Sequence, residues 1–385
     1  MNVLLLTYYF SGGLEGTGTV FVNIAELLAK NGHKVWVVTN MIEGINYPQH
    51  ENIRIIFVSS PRSHQKIMRT TIKETIRYSF FTIRAGLEII KNEKIDIIHS
   101  NAISGIPGSF LSLLTSKPHI VTIHQVYSTQ GFWDEWLKEK GNTRLKAMLG
   151  RLLEKLLVKL KSSAIHTVSE LTRDNIIALG ARKPIYVIHN AIPIEKDEDV
   201  ETNPFQFVSV GRLVPYKNIQ VAINAIKKVK ESFPKVTLFI VGKGLYREEL
   251  EQLVTKLDLQ GSVKFKGHVS ETEKNRLISS SQALVFPSFF ESFGIVILEA
   301  FSKKKPVLAS NMRPLSDNVE DKKTGLLISP RDETEWAKAM EYILREPESA
   351  LKMGRAGRKV LEERYNLGVM WNGIIEMYDK VIKGY

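Results

Sequence analysis

Short apolar runs alternate with stretches that carry apolar residues at helical spacing along most of this 385-residue chain. Uninterrupted apolar runs are typical of strands covered on both faces, and the intervening helices supply the cover. The alternation therefore predicts βαβ units and mostly parallel sheets, an α/β fold. The predicted strands of the first half are Val3–Tyr9, Lys34–Thr39, Ile53–Val58, Ile95–His99, His119–His124, Ala164–Val168 and Ile185–Ile188, with helices at Thr19–Lys30 and Arg144–Leu160 among those between them.

The pattern pauses at the charged stretch Glu195–Pro204 and then restarts, which predicts a linker and a second domain. We expect two doubly wound, Rossmann-like domains at 1–195 and 204–364 that face each other across a cleft. Ligands of such folds lie at the carboxyl ends of the strands. A helical pattern at 365–385 follows, and it could cross back to the first domain. The second set of strands is Gln206–Val210, Thr237–Val241, Val263–Lys266, Ala283–Phe286 and Pro306–Ala309.

Composition removes several classes of site. The chain has no cysteine, which excludes disulfides, thiolate metal ligands and a cysteine nucleophile. Met1–Leu6 lacks a basic leader and reads as a first strand, and no apolar run reaches the roughly 18–20 residues that span a bilayer. We expect a cytoplasmic protein, either soluble or peripheral at the inner membrane face.

The formal charge of +12 is concentrated in two segments. Residues 62–91 carry seven Lys and Arg against two Glu, and residues 138–161 carry eight against two. Each segment also has an apolar stripe at helical spacing, such as Leu145, Leu149, Leu152, Leu156 and Leu160 in the second. Two interpretations stay open: stripes buried against the sheet with solvated charges outside, or a surface for anionic lipid or an anionic acceptor. No nucleic-acid-binding motif is present, so we expect no nucleic-acid partner.

A strand, a turn and a glycine-started helix surround the first candidate site. Glu291 lies on the loop after the predicted strand Ala283–Phe286, Gly294 opens the next helix, and Glu299 lies about one turn into it. Backbone N–H groups at such a helix start favour an anion. Two carboxylates at this spacing can each bind a hydroxyl group of one extended ligand.

A second loop supplies positive charge. Gly211 and Arg212 end the predicted strand Gln206–Val210, and Lys217 precedes the next helix. Arginine offers a fork for phosphate oxygens and lysine a point charge. Alone the two residues would be solvated, but beside the first motif they indicate a diphosphate clamp.

The first domain has two candidates. Ser11–Gly18 contains Gly12, Gly13, Gly16 and Gly18, which predicts close backbone approach to a phosphate or sugar, although the spacing is not that of a dinucleotide site. His124 ends the predicted strand His119–His124 and would point towards the cleft. A flexible loop and a structural histidine are the alternatives.

In their order along the chain these elements resemble the retaining glycosyltransferase family 4, of the GT-B fold. The resemblance rests on Gly12-Gly13, Thr122-x-His124, Gly211-Arg212-Leu213 with Lys217-Asn218, and Glu291-x7-Glu299 with an internal Phe-Gly. It continues through Pro306–Ser310 and Thr324–Ile328. It implies transfer of a sugar from a nucleotide-sugar donor, UDP-sugar favoured and GDP-mannose the other option, to a hydroxyl of a glycan or lipid-linked acceptor.

The resemblance also implies roles for individual residues. Arg212 and Lys217 would neutralise the donor diphosphate, Glu291 would hold the transferred sugar, and Glu299 the ribose diol. His124 would touch the donor sugar, and Gly12 and Gly13 would cover the phosphates. The remaining donor-binding positions are Gly211, Val269, Phe293, Gly294 and Ile295.

The family frequently carries Gly at position 292 and Asp at 125, where this chain has Ser292 and Gln125. Asp197 and Asp199 form the Asp-x-Asp spacing of some metal-dependent transferases, but they lie in the acidic linker, and we predict no metal and no cofactor. A GT-B-fold glycoside phosphorylase or sugar-nucleotide epimerase is the alternative enzyme. A two-lobed sugar-binding protein is the non-catalytic one.

Overall fold

The structure is a computed structural model that describes residues 1–12, 16–61, 71–128, 132–133, 137, 143–194 and 200–384. The chain divides into two compact units. Unit 1 comprises Met1–Val126, Met148–Asn190 and Leu367–Tyr385, and unit 2 comprises Tyr127–Ala147 and Ala191–Asn366.

Unit 1 contains a seven-stranded sheet in which all neighbouring strands are parallel. Its strand order is β3-β2-β1-β4-β5-β6-β7. The central strand β1 is fully buried from Val3 to Leu6, as expected for a strand covered by helices on both faces. The strands are β1 (Asn2–Leu6), β2 (Lys34–Thr39), β3 (Ile53–Phe57), β4 (Ile97–Asn101), β5 (His119–Thr122), β6 (Ala164–Thr167) and β7 (Ile185–Val187).

Two helices of unit 1 begin at residues whose side chains bond to free backbone N–H groups. Thr71 accepts a hydrogen bond from the Glu74 N–H (3.3 Å), and the Glu74 carboxylate accepts one from the Thr71 N–H (2.8 Å), a capping box. Ser169 caps a later helix in a similar way. The helices between the strands are α1 (Gly16–Lys30), α2 (Ile72–Asn92), α3 (Gly105–Thr115), α4 (Arg144–Lys159) and α5 (Glu170–Ala178).

Unit 2 repeats this strand order on six parallel strands, as β10-β9-β8-β11-β12-β13. Its core lies between the sheet and helices that include α6 and α11, where Trp336 is fully buried and donates its indole N–H to the Ser329 carbonyl (3.0 Å). The strands are β8 (Gln206–Val210), β9 (Thr237–Val241), β10 (Val263–Gly267), β11 (Ala283–Phe286), β12 (Val307–Ser310) and β13 (Gly325–Ile328). The helices are α6 (Ile219–Ser232), α7 (Arg247–Lys256), α8 (Glu271–Ser279), α9 (Ile295–Ser302), α10 (Leu315–Asn318), α11 (Glu333–Arg345) and α12 (Pro347–Arg364).

The helix α13 (Leu367–Lys383) follows unit 2 in the chain but belongs to unit 1. The Tyr378 hydroxyl lies 2.7 Å from Nδ1 of the buried His99, and Gly373 packs on Ile188. The chain enters and leaves unit 2 at neighbouring points, since Ile192 donates its N–H to the Tyr365 carbonyl (3.3 Å) and forms a bridge with Asn366.

A line of hydrogen bonds crosses the buried face of the unit 1 sheet towards α13. His166 Nε2 lies 3.4 Å from the Ile188 carbonyl, which can only accept, so His166 donates there and its Nδ1 accepts from the Thr122 hydroxyl (2.9 Å). Thr122 in turn accepts from His99 Nε2 (2.7 Å), and His99 Nδ1 accepts from Tyr378. Every member of this line is therefore satisfied without a charge.

The two-domain α/β Rossmann-like fold predicted from the sequence is confirmed. Strand β13 was not predicted as a strand, because Gly325 weakens the apolar pattern. The glycine is required there: a Cβ at Gly325 would lie 2.0 Å from the Val307 carbonyl oxygen. The acidic linker residues 195–199 lie outside the described residues. The segment 127–147, which the sequence boundaries place in the first domain, groups with unit 2.

Candidate functional site

The candidate site in unit 2 lies where the sheet changes direction. Strand β8 pairs with β9 on one side and with β11 on the other, so the connections after β8 and after β11 leave the same edge of the sheet in opposite directions. In open α/β sheets a crevice forms at this point, outside the carboxyl ends of the strands. Both charged loops singled out in the sequence occupy this position.

Lys217 and Glu291 form an ion pair between these two loops. Lys217 ends a 3₁₀ turn after β8, and Glu291 follows β11. The two side chains are only 13% and 11% exposed, and the Lys217 ammonium lies 5.1 Å from the Phe286 ring centroid. Two largely desolvated opposite charges thus sit at the switch point, each able to exchange its partner for a ligand group of opposite sign or a hydroxyl.

Arg212 lies on the same loop as Lys217 and is exposed, and its Nη2 donates to the Tyr216 hydroxyl (2.7 Å). Two backbone hydrogen bonds join this loop to the end of β9 and the loop that follows it. The Gly211 N–H donates to the Val241 carbonyl (3.0 Å), and the Leu213 N–H donates to the Lys243 carbonyl (2.9 Å). A Cβ at Gly242 would lie 1.8 Å from the Gly211 carbonyl oxygen, so the close approach needs glycine.

Asn218 is a site residue whose part the sequence reasoning missed. It adopts a left-handed conformation (φ 55°), which asparagine tolerates better than most residues, and it stands at the start of α6. Its side-chain amide donates to the carbonyls of Pro287 (3.1 Å) and Pro330 (2.7 Å). Asn218 therefore ties the Lys217 loop to the loops after β11 and β13, and its place directly after Lys217 was the available signal.

Gly294 begins α9 with φ +88°, a conformation that other residues rarely adopt. Gly294 has no side chain that could cap this helix, and the Ile297 N–H bonds to the Gly294 carbonyl (2.9 Å). The N–H groups of Ile295 and Val296 lie at the helix start, where an anion is favoured. Ile295 is the first helical residue, and the Phe293 side chain is buried against Tyr365 with its carbonyl held by Asn318 (2.6 Å). Phe293 and Ile295 thus present backbone, and the Phe293 ring anchors the loop in the core.

Glu299 lies on α9 beside Lys274 of α8, with 2.9 Å between Oε1 and Nζ. Lys274 also pairs with Glu271 (2.7 Å) and is 14% exposed. Burial alone would lower the pKa of Lys274, but the charges and hydrogen bonds of Glu299 and Glu271 outweigh it and raise the pKa above its usual value. Lys274 was not predicted, because a contact across 25 positions leaves no local pattern.

Val269 lies beyond the end of β10, directly before the Ser270 cap of α8, and is half-buried. It is thus at the same carboxyl edge of the sheet as the Lys217 loop. The Gly267 carbonyl accepts from the Gly242 N–H (2.7 Å), which links the end of β10 to the loop that supports Gly211.

An aromatic cluster packs against both charged loops. Phe132 lies between Tyr216 and Phe290, with ring centroids 5.5 Å and 4.6 Å away, and Tyr127 stacks on Phe290 at 5.7 Å. Tyr216 and Phe290 are the chain neighbours of Lys217 and Glu291. These contacts are the physical reason that residues 127 and 132 group with unit 2, and sequence reasoning did not find them.

The candidates of unit 1 lie at the carboxyl ends of β1, β4 and β5. Gly12 is exposed in a turn after β1, and Gly13 lies outside the described residues. His124 follows β5 and is 5% exposed, with Nε2 3.0 Å from Oδ1 of Asn101 at the end of β4. Asn101 was not predicted, although a polar residue at a strand end is the signal that selected His124.

The surroundings of Asn101 fix the protonation of His124. The Asn101 amide Nδ2 lies 3.4 Å from the Thr17 carbonyl and 3.1 Å from the Thr7 hydroxyl, so Oδ1 faces His124 and His124 Nε2 must carry the hydrogen. Burial, helped by the nearby His166, lowers the pKa of His124 to about 3. His124 is therefore a neutral imidazole whose Nδ1 is the unprotonated nitrogen.

Within the ranges that the structure describes, no three His, Asp or Glu side chains lie together in a way that would hold a metal ion. The positive charges at the unit 2 switch point are side chains of the protein itself. Two Rossmann-like units, one with an ion pair and a helix start at the carboxyl edge of its sheet, define the class as an α/β protein of the kind that binds ligands at a topological switch point.

Comparison with known proteins gives the family. Residues 14–196 match the model "Glycosyltransferase Family 4" and residues 192–360 match "Glycosyl transferases group 1". The two matches run consecutively from 14 to 360, and this chain belongs to the family 4 type of glycosyltransferases, which are transferase enzymes. The resemblance drawn from the sequence motifs is confirmed.

Individual relatives are distant but extensive. Glycogen synthase of Mycobacterium tuberculosis is 26% identical over 398 residues, covering 98% of this chain and 94% of its own. A D-inositol 3-phosphate glycosyltransferase of Pseudarthrobacter chlorophenolicus is 27% identical over 68% of this chain and 66% of its own. Sucrose-phosphate synthase from Thermosynechococcus elongatus superposes with a TM-score of 0.81 over the whole of both chains at 19% identity. HepE of Anabaena, solved with UDP-glucose, does so with a TM-score of 0.74, 19% identity, and coverage of 99% of this chain and all of its own.

Proposed function

We propose that this protein is a retaining glycosyltransferase that moves a sugar from a UDP-sugar to a hydroxyl of a glycan or lipid-linked acceptor. The observation that carries the proposal is the Lys217–Glu291 ion pair, 13% and 11% exposed, at the switch point of unit 2. A lysine and a carboxylate this close together suit a donor that carries phosphate and sugar hydroxyls side by side. HepE, which shares the fold, has been solved with UDP and with UDP-glucose.

The donor diphosphate is proposed to bind Lys217 and Arg212 and the first backbone N–H groups of α9. As the bond from the sugar to the diphosphate breaks, negative charge grows on the leaving oxygen. Cations already fixed in place stabilise that charge without rearranging, and Asn218 holds Lys217 by tying its loop to two others. The same two cations supply the charge that a metal ion supplies elsewhere, so we propose that transfer is metal-independent.

The sugar and the nucleoside would lie on either side of the diphosphate. Glu291, released from Lys217 when phosphate takes its place, accepts hydrogen bonds from hydroxyls of the transferred sugar. Glu299 accepts from the ribose diol while Lys274 holds its other side, and Val269 contacts the base. In retention of configuration the acceptor hydroxyl attacks the face that the diphosphate leaves, and the departing phosphate oxygen takes its proton.

For Gly12 and His124 of unit 1 we propose the roles that the family resemblance implies, covering the phosphates and touching the donor sugar. The neutral state of His124 is compatible with hydrogen bonding to a sugar hydroxyl. It is not compatible with donating a proton as an imidazolium.

The test begins with thermal stabilisation of the purified chain by UDP-glucose, UDP-N-acetylglucosamine and GDP-mannose, because a ligand that binds the folded state raises its apparent stability. Donor turnover is then measured for Lys217→Ala and Glu291→Ala. We expect kcat to fall by about 10²–10³-fold or more in each, as for loss of other groups that stabilise transition-state charge.

Matched controls come from the exposed pair Lys359 and Glu363 on α12, which are 75% and 59% exposed. Lys359→Ala and Glu363→Ala should retain full turnover, and circular dichroism should show all four variants folded. Near-normal rates in Lys217→Ala and Glu291→Ala would refute the assigned roles. Turnover that requires free phosphate would identify a phosphorylase, and loss of activity in chelator would contradict metal independence.

A further inference from the structure

Three helices of unit 1 cover one face of its sheet. Strand register places Leu4 and Ile98 side by side on that face, where they pack with Leu111 of α3 and with Ile83 and Ile89 of α2. Register also places Leu6 beside Ser100, and Ser100 beside Val121, on the same face. A Cβ at Gly105 would lie 2.8 Å from Val121 and 3.7 Å from Leu157, which brings α4 in beside α3.

The outer sides of these helices are apolar. On α4 the buried residues are Ala147 and Val158, and the leucines that could have formed a core stripe point outward, with Leu152 63% exposed. Twelve exposed large apolar side chains lie on α2, α3 and residues 148–159 of α4: Ile72, Ile76, Phe80, Leu87, Phe110, Leu113, Leu114, Met148, Leu149, Leu152, Leu153 and Leu156. We call these twelve residues the apolar face.

Burial of both stripes against the sheet, one of the two interpretations left open by the sequence, therefore holds only in part. Ile83 packs on the core and Leu160 is half-buried, whereas most of the described stripe residues are exposed: Ile72, Ile76, Phe80, Leu149, Leu152 and Leu156. Single exposed apolar residues are normal on a soluble protein, but twelve of them on three helices that cover the same face of one sheet indicate a surface that binds something. Within the described residues, no helix is both long and apolar enough to cross a bilayer.

Basic side chains are interleaved with the apolar face. On the same three segments seven Lys and Arg are exposed against one exposed Glu, Glu88. Arg77 follows Ile76, Arg151 precedes Leu152, and Lys155 precedes Leu156. The basic residues are Lys73, Arg77, Arg84, Lys91, Arg151, Lys155 and Lys159.

This charge distribution selects the occupant. Two copies of the face would bring like charges together, which opposes self-association. Nucleic acid would satisfy the charges but not the leucines. A bilayer of anionic lipid satisfies both, because apolar side chains enter the acyl region while Lys and Arg extend to the phosphate groups.

We propose that the apolar face of unit 1 is a docking surface for an anionic lipid bilayer, on which α2, α3 and α4 lie without spanning it. Binding requires both the apolar residues and the basic residues between them. It does not depend on which donor or acceptor unit 2 uses.

Co-sedimentation with vesicles tests the proposal, using the full chain with phosphatidylcholine alone and with added phosphatidylglycerol. We expect binding to the mixed vesicles only, weakened by salt. Phe80→Ser with Leu152→Ser should weaken binding by about tenfold or more, because two apolar side chains no longer enter the acyl region. Arg77→Gln with Lys155→Gln should also weaken binding by about tenfold or more, because each Lys or Arg near an anionic surface adds a similar attraction to the lipid phosphates.

The controls make the same changes on unit 2. Leu245→Ser with Leu351→Ser replaces residues that are 77% and 42% exposed, and Lys352→Gln with Lys359→Gln replaces exposed lysines. Both should bind vesicles as the unchanged chain does. Donor turnover on a water-soluble acceptor should persist in every variant, which separates this proposal from the proposed function.

Three results would overturn the proposal. The first is absence of binding to mixed vesicles at low salt. The second is equal loss of binding in the unit 2 controls. The third is a dimer in solution that Phe80→Ser with Leu152→Ser converts to a monomer, which would assign the face to a second copy of the chain.

Discussion

Single residues in unit 2 are held by partners that carry opposite charge or a complementary donor. Glu291 pairs with Lys217 and Glu299 with Lys274, so each proposed ligand-binding carboxylate has a lysine beside it. The two lysines differ in their proposed parts. In the proposed function Lys217 exchanges Glu291 for the donor phosphate, whereas Lys274 remains paired with Glu299 and orients it.

Lys274→Met should therefore weaken donor binding and leave the chemical step largely unchanged. We expect the donor KM to rise by about tenfold with kcat within about twofold, because a charged hydrogen bond that orients Glu299 contributes equally before and during reaction. Steady-state kinetics of the variant measures both. Arg276→Met on the same helix, 73% exposed, is the control and should change neither, and a large fall in kcat for Lys274→Met would contradict the positioning role.

Asn101 controls the protonation of His124 through its amide orientation. Asn101→Asp replaces the amide with a carboxylate, which stabilises an imidazolium, so the pKa of His124 should rise from about 3 towards or above the ordinary value of 6.5. Nitrogen-15 chemical shifts of the imidazole followed against pH measure it. In the unchanged chain His124 should keep its Nε2 hydrogen through neutral pH, and Asn31→Asp, at an exposed helix end, should leave that unchanged. An identical His124 titration in both variants would rule out the Asn101 contact.

Elements of unit 2 place Glu299 through close helix packing. Helix α12 approaches α9 at two glycines: a Cβ at Gly354 would lie 1.8 Å from the Lys304 carbonyl oxygen, and one at Gly357 would lie 2.3 Å from the Phe301 ring. The backbone of α12 therefore sits directly against the end of the helix that carries Glu299. A larger residue would force the two helices apart.

Gly357→Ala should lower the free energy of unfolding by about 1–3 kcal/mol, the usual cost of overpacking a tight contact. Gly261→Ala is the matched control, because nothing lies within 4 Å of a Cβ there, and it should be neutral or slightly stabilising. Urea unfolding measures both. Equal stability of the two variants would show that α12 and α9 separate at little cost.

Local sequence patterns predicted the strands, helices and site loops. Contacts between residues far apart in the sequence could not be predicted from those patterns. The apolar runs located twelve of the thirteen strands found in the described part of the chain, since a buried parallel strand has a continuous apolar sequence. The motif around Lys217 was visible because its loop is contiguous. Lys274, Asn101 and Phe132 reach their partners only after helices and strands have packed, so no spacing in the sequence announces them.

At the scale of the whole molecule, the buried histidines of the described residues all lie in unit 1. Burial lowers the pKa of His119 to about 4, of His124 to about 3 and of His166 to about 4, and holds that of His99 well below its usual value. A histidine whose pKa is lower in the folded state stabilises the fold fully above pH 6.5. That contribution is lost as pH falls from 6.5 towards 4, because the unfolded chain binds protons first.

Unit 1 should therefore lose about 1.4 kcal/mol for each of His119, His124 and His166, about 4 kcal/mol for the three, between pH 7.5 and pH 5.5. Hydrogen exchange of peptides from β4, β5 and β6, corrected for the intrinsic rate at each pH, measures this loss. Peptides of β8, β9 and β11 in unit 2, whose sheet holds no buried histidine among its described residues, serve as the internal control. Equal protection of unit 1 at both pH values would contradict the buried neutral state of these histidines.

Because α13 follows unit 2 in the sequence but belongs to unit 1, unit 1 cannot be completed until unit 2 has been synthesised. A ribosome must translate all of unit 2 before it makes Tyr378, whose hydroxyl completes the hydrogen-bonded line through His99. Until then the nascent unit 1 exposes the apolar surface that Met370, Ile374 and Met377 of α13 later cover, and His99 Nδ1 lacks its Tyr378 partner. The half of the protein that is translated first is therefore the half that matures last, and a growing chain would need chaperone protection there for most of its synthesis.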